Sequence, residues 1–225
     1  MLDTAEILID NFILMIEVYG MIPNGFRKYF LNRSQPPFFS LMVKDLVDAF
    51  HHRGQLTRAD SLEQRAFHPL NIEHDFFMAT HSKKVKINGK EILLNFYNAN
   101  TVLERPESFR QDNKLVENLE TKERERVLKG LSSMAESGWD FSSRWLRDPK
   151  DLTTTQINDM IPSDLNTLLG KSEEYLINLC SKFKREDLSV YYLNLLNERK
   201  EYFTSIFNGV GFPDQVMSGE SIRPR

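Results

Sequence analysis

Apolar residues recur at helical spacing along most of this chain, and only one stretch alternates as a strand would. Six segments read as helices: roughly 3–19; "PFFSLMVKDLVDAFHHRG"; a weaker "NIEHDFFMATH"; "DNKLVENLETKERERVLKGLSSMAESG"; "SDLNTLLGKSEEYLINLCSKF"; and "REDLSVYYLNLLNERKEYFTSIFNG". Gly20 and Gly54 close the first two as C-caps, and Pro162 with Ser163 opens the fifth. The exception is "KKVKINGKEILLNFYN", where Val85 and Ile87 alternate, Asn88-Gly89 turns, and Ile92 and Leu94 resume. An Asn-Gly pair between two such runs predicts a hairpin. Lys83, Lys84, Lys86 and Lys90 are expected on its solvated face. A chain so patterned folds as helix pairs with one hairpin inserted. No repeat at solenoid spacing is visible.

Composition excludes several classes of function. A net charge of −3 gives no electrostatic reason to expect nucleic acid as a partner. The single cysteine, Cys180, cannot form an internal disulfide and sits in an apolar helical run as a small buried hydrophobe. The apolar stretch at the N-terminus is broken by Glu17 and preceded by Asp3, Glu6 and Asp10. It therefore matches neither a signal peptide nor a membrane span, and the compartment stays open. The histidines lack partners at metal-ligand spacing, so His51, His52, His68, His74 and His81 read as solvated or locally bonded. No phosphate-binding glycine loop is present. Neither a metal nor an organic cofactor is expected.

The chemistry concentrates in three polar loops, "MIPNGFRKYFLNRSQPP", "LERPESFRQD" and "ESGWDFSSRW". Taken as one site they offer Asn24, Arg33, Gln35, Arg105, Glu107, Arg110, Asp140 and Arg144, with Trp139 and Trp145, the only two tryptophans. Guanidiniums and carboxylates supply the paired donors and acceptors that suit vicinal hydroxyls. An indole supplies an apolar platform for the C–H face of a sugar. Asp140, between Trp139 and Phe141, is a candidate general acid if partial desolvation keeps it protonated; a Trp–Asp pair that merely satisfies an indole N–H is the alternative.

"GMIPNGFRKYFLNRSQPPFF", "RPESFRQD" and "AESGWDFSSRWL", in that order, resemble the central motifs of the α,α-trehalase family of inverting glycoside hydrolases. The resemblance extends over about 1–200, including "EHDFFM" and "IPSDLNTLL". It implies a mainly α fold, an incomplete (α/α)6 toroid of antiparallel helix pairs with one inserted β-hairpin near 84–95. It implies trehalose as substrate, split to two glucoses without a cofactor. By motif, Asp140 takes the place of the general acid, while Asn24, Arg33, Ser34, Gln35, Arg105, Pro106 and Glu107 take those of substrate contacts. Gly138 falls where the backbone lines the pocket. Phe26 departs from the asparagine expected in that motif.

The family's flanking signatures, PGGRFxExYxWDxY and QWDxPxGW, are absent, and no glutamate can be placed as the catalytic base. The expected organisation is a partial catalytic domain over 1–208 and an atypical polar tail over 209–225. A toroid with only some of its pairs would leave Leu8, Phe12 and Met15 unpartnered. A non-catalytic sugar-binding or regulatory fragment is the alternative to a hydrolase.

Overall fold

The computed structural model describes residues 1–87, 89–206, 215–218 and 221–224, the last two segments as backbone. Among these residues there are seven α-helices: α1 (Leu2–Tyr19), α2 (Phe39–His52), α3 (Leu56–Thr80), α4 (Phe109–Val116), α5 (Thr121–Glu136), α6 (Ser163–Lys182) and α7 (Glu186–Ile206). α2 joins α3, and α6 joins α7, through connections of three residues, so each pair lies antiparallel. Strands β1 (Ser82–Ile87) and β2 (Lys90–Asn95) form the expected hairpin, with Val85 opposite Ile92 and Ile87 opposite Lys90. Gly89 takes φ +83, the left-handed conformation a tight hairpin turn needs, while Asn88 lies outside the described residues.

A second sheet was not foreseen. The two-residue strand β3 (Met160–Ile161) pairs with β4 (Gln215–Ser218), which pairs with β5 (Ser221–Pro224), all antiparallel. The strands are too short for periodicity to reveal them.

Two helix boundaries differ from the sequence reading. The third helix is not a short segment starting near Asn71, but 25 residues running through Pro69. Proline normally breaks a helix by removing one hydrogen bond. Here burial of Ala66, Pro69, Leu70 and Phe77 along one face holds the helix together. The fourth segment is instead two helices. Glu120 adopts an extended φ/ψ of −59/149 and its carbonyl accepts from Arg124 N at 2.8 Å, starting α5 afresh. The break lets Leu115 and Leu119 turn onto the same core as Val127 and Leu131.

Burial is organised in three clusters. The largest joins Ile9, Ile13 and Ile16 of α1 to Phe39, Val43 and Phe50 of α2, Leu62 and Leu70 of α3, and Leu176 and Leu179 of α6. A second gathers Phe77, Val127, Leu131, Met134, Leu165 and Leu169 around Trp145, which is completely buried. A third places Val85, Ile87, Ile92 and Leu94 of the hairpin against Ile161 and Tyr202. Cys180 is buried in the first cluster, as its context predicted.

α1 shows where helical apolarity exceeds the available core. Leu8 is exposed, as are Ile7, Leu14, Val18 and Tyr19, whereas Phe12 packs against the first cluster and Met15 is half-buried. The expectation of an unpartnered Phe12 is thus corrected: it sits beside Ile9, Ile13 and Ile16 on the packed face. Among the described residues no helix is long and apolar enough to cross a membrane.

One polar network ties the elements together. Arg199 of α7 is 1% exposed and donates through Nε to both oxygens of Glu173 (2.9 and 3.0 Å). Its Nη1 donates to Asn166 Oδ1 and its Nη2 to Asn95 Oδ1, both at 2.7 Å. His74 Nε2 reaches Glu173 Oε1 at 3.3 Å from α3. A buried charge survives only when it is paired and its donors are used, and here α3, β2, α6 and α7 all contribute.

Candidate active site

The first loop, between α1 and α2, folds back on itself. Pro23 and Ser34 face each other as an isolated bridge, with Asn24 N donating to Arg33 O and Gln35 N donating to Ile22 O, both at 3.1 Å. The reversal needs Gly25: a Cβ there would lie 2.6 Å from the Phe30 ring. Asn24 Oδ1 accepts from Arg33 Nε at 3.0 Å, and Gln35 Nε2 donates to Asn24 O at 3.1 Å. Three of the expected residues therefore brace one another before any ligand arrives.

The other two loops are attached to this one. Asn24 Nδ2 donates to Ala135 O at 3.1 Å, which joins the first loop to the end of α5. Arg33, buried beneath the surface, forms an ion pair with Glu107 of the second loop. Arg105 is locked by Asp112, with Nε donating to Oδ2 (2.9 Å) and Nη2 to Oδ1 (2.6 Å), and its guanidinium lies 4.6 Å from the Phe141 ring of the third loop. Such forked pairing fixes an arginine's orientation, and it commits only part of the Arg105 fork. Pro106 and Glu107 open a short 3-10 turn, Pro106–Ser108, at the mouth of this region.

The third loop leaves α5 through Gly138 at φ +71, with Pro36 Cγ 3.5 Å from where a Cβ would stand. Phe141 also has positive φ, 53°. Left-handed backbone at a non-glycine residue is uncommon and marks a loop held by its surroundings. The tryptophans then divide their work. Trp145 is buried and its indole donates to Trp139 O at 3.0 Å, while Trp139 is 55% exposed. Arg144 lies 4.2 Å from the Trp145 ring and 5.3 Å from the Trp139 ring, and its Nη1 donates to Asp164 at 2.8 Å. Trp139 is thus the indole left facing solvent, where a sugar face could stack.

Asp140 is exposed, as are Pro106, Glu107 and Arg110. The desolvation expected from Trp139 and Phe141 is absent, because both rings are engaged by arginines instead of enclosing the carboxylate. The alternative, that Asp140 satisfies a neighbouring indole, also fails for Trp145, whose N–H goes to a backbone carbonyl.

Sequence reading missed the hub beneath these loops. Glu136, completely buried, accepts from Ser34 N (2.9 Å) and Ser34 Oγ (3.0 Å) on Oε1, and from Asn98 N (2.9 Å) and His81 Nε2 (3.0 Å) on Oε2. Burial alone would push its carboxyl up, but the charge and hydrogen bond of His81, with the two backbone N–H groups, hold it below the ordinary carboxylate range. His81 is bonded locally, with Nδ1 2.6 Å from Thr80 Oγ1, but it is buried, as is His74, and each also pairs through Nε2 with a glutamate far away in sequence. A signal for Glu136 existed: it is the only charged residue between Lys129 and Asp140. Lys83 is a further correction. It is partly buried, with Nζ donating to Asn158 O at 2.6 Å and lying 3.9 Å from the Phe96 ring, and burial pulls its ammonium down. Among the described residues no group of three or more metal-ligating side chains exists.

Phe26 is 87% exposed beside a surface cavity of about 620 Å³ that also involves Leu14, Val18 and Leu31. A second cavity of about 450 Å³ is bounded by Arg33, His81, Asn98, Lys129 and Glu136.

Paired helices with a hairpin inserted between them, carrying a loop-borne cluster of arginine, amide and carboxylate groups, place the chain in the α-helical toroid class of fold. The sequence profile described as Trehalase matches residues 1–207, and the chain belongs to that family. It is 34% identical to the trehalase of Homo sapiens over 202 residues, covering 88% of this chain and 33% of the relative. It is 39% identical over 176 residues to a probable trehalase of Oryza sativa subsp. japonica, covering 77% and 30%. The trehalase of Dictyostelium discoideum is 35% identical over 215 residues, covering 92% and 35%. The fold is similar to that of neutral trehalase Nth1 from Saccharomyces cerevisiae, with a TM-score of 0.71 at 21% identity over 97% of this chain and 44% of that one. The chain spans about a third of the length of the curated relatives it matches.

Proposed function

We propose that this chain supplies the acid side and part of the sugar clamp of a glycoside hydrolase that splits α,α-trehalose into two glucoses with inversion. Asp140 is the general acid: it gives its proton to the glycosidic oxygen as the anomeric C–O bond breaks. Water attacks the anomeric carbon from the opposite face, and a base takes its proton. No residue of this chain is assigned as that base, and losing such a base typically costs ~10²–10⁴-fold in rate. Asn24, Arg33, Ser34, Gln35, Arg105, Pro106 and Glu107 are the clamp, Gly138 lines it, and Trp139 offers its face to a ring. Their value lies in holding the sugar still while charge moves.

The observation that carries this reading is the linkage of the three family motifs: Asn24 to Ala135, Arg33 to Glu107, and Arg105 to the Phe141 ring. The exposure of Asp140 favours a second reading, sugar binding without turnover, since a carboxyl open to bulk water is not enclosed together with the bond it would have to cleave. Calorimetric titration with trehalose, together with a glucose-release assay, separates the two. Release of glucose that Asp140→Asn abolishes while binding persists supports the hydrolase; binding without release supports the second reading; no binding refutes both.

A further inference from the structure

We propose that Glu136 is a positioning residue that sets the spacing between the Arg33–Gln35 segment and the Asp140 loop. The site it serves is that of the proposed function, on which this inference rests. Glu136 occupies the last turn of α5, two residues before Gly138 and four before Asp140. Its carboxylate receives four donors, and two of them belong to Ser34, the residue between Arg33 and Gln35. The other oxygen takes Asn98 N and His81 Nε2, anchoring the chain that leads from β2 towards Arg105. One side chain therefore reaches all three loops: it starts the third, grips the first through backbone and hydroxyl, and holds the entry to the second.

The chemistry demands a carboxylate. Each of its oxygens has two lone pairs and no proton, so four N–H or O–H donors can converge on it. A glutamine has one acceptor oxygen and presents an NH₂ group to donors on its other side, so at least one backbone N–H loses its partner. Ser34 Oγ can turn to accept, but Ser34 N and Asn98 N cannot. The neighbouring link from Asn24 Nδ2 to Ala135 O rides on the same helical turn and shifts with it. Glu136 is completely buried and both of its carboxylate oxygens are taken by protein donors, so it acts by fixing the groups that would meet the sugar.

The test uses the full chain with Glu136→Gln, and Glu173→Gln as a control that disrupts the other buried glutamate–histidine pair without touching the three loops. Trehalose affinity is read by calorimetry, and amide exchange at Ser34 and Asn98 by NMR. Glu136→Gln is expected to weaken trehalose binding at least tenfold and to speed exchange at those two amides. Glu173→Gln is expected to lower stability and change neither readout. The inference is overturned if Glu136→Gln binds trehalose like wild type, or if Glu173→Gln weakens binding as much, which would reduce Glu136 to a general stabilising role. A wild type that does not bind trehalose refutes the proposed function. The exchange arm then decides the positioning alone: selective loss of protection at Ser34 and Asn98 sustains it, and unchanged protection refutes it.

Discussion

Replacing Glu73 by glutamine should make this chain's stability less sensitive to pH, by an amount the structure sets. Glu73 lies on the buried face of α3 among Ala66, Leu70 and Phe77, and burial pushes its carboxyl from 4.5 up to about 8. A carboxyl raised in the fold stabilises it below the unfolded value and loses that contribution as pH rises towards the folded one. Its proton must be given up against the surroundings between pH 4.5 and 8. At about 1.4 kcal/mol per tenfold change in proton affinity, the fold should lose up to ~5 kcal/mol across that window, and ~3 kcal/mol by pH 7. Glutamine has the shape of the protonated carboxyl and cannot ionise, so it escapes the loss. Urea unfolding of both proteins at pH 5, 7 and 8.5 measures the difference. It should be small at pH 5 and favour Glu73→Gln increasingly above it. The histidines and the other carboxylates are common to both chains and cancel. A difference that stays constant across the three pH values would refute the reasoning.

Three other perturbations probe different physics. Arg199→Met leaves Glu173 buried beside His74 without its guanidinium, and removal of one partner of a buried pair costs roughly 3–5 kcal/mol; the double variant with Glu173→Gln should recover part of that in the same urea assay. Gly138→Ala meets Pro36 at an ordinary 3.5 Å but must hold φ +71, a conformation costing an L-residue about 1–2 kcal/mol; a thermal melt should register that loss, and the exposed Trp139 should report a shifted loop by its fluorescence. Cys180 is buried, and burial pushes its thiol up from the ordinary value, so a colourimetric thiol reagent should react with it only at the rate of unfolding.

The sequence by itself determined the architecture and the motifs. Periodicity of 3.6 found the helical segments and period-two alternation found the hairpin, because each is a local property of which face meets a core. Glycine at 20 and 54 ended helices where it was expected to, since a left-handed residue costs glycine little. The three polar loops stood out because a plain connection has no use for so many planar polar groups. Periodicity failed where nonlocal packing overrode local preference. Pro69 did not interrupt α3, because contacts along its buried face outweigh one missing hydrogen bond. Residues 117–120 did interrupt a helical pattern, because two apolar stripes had to face one core from different directions.

Only the tertiary structure decided how the loops are held and what each charged group does. Asp140 reads as a desolvated acid between two aromatics, yet the rings turn to Arg144 and Arg105 and leave it in solvent. Arg33 reads as a ligand contact and is also a strut, tied to Asn24 and Glu107. Glu136, His81, Asp112 and Arg199 each have a partner at least 7 positions away, and one partner of Arg199 lies 121 positions away. Burial enforces those pairings, because a charge removed from water must be met by whatever donors the fold brings to it, and which donors arrive is a property of the assembled helices that no local pattern encodes.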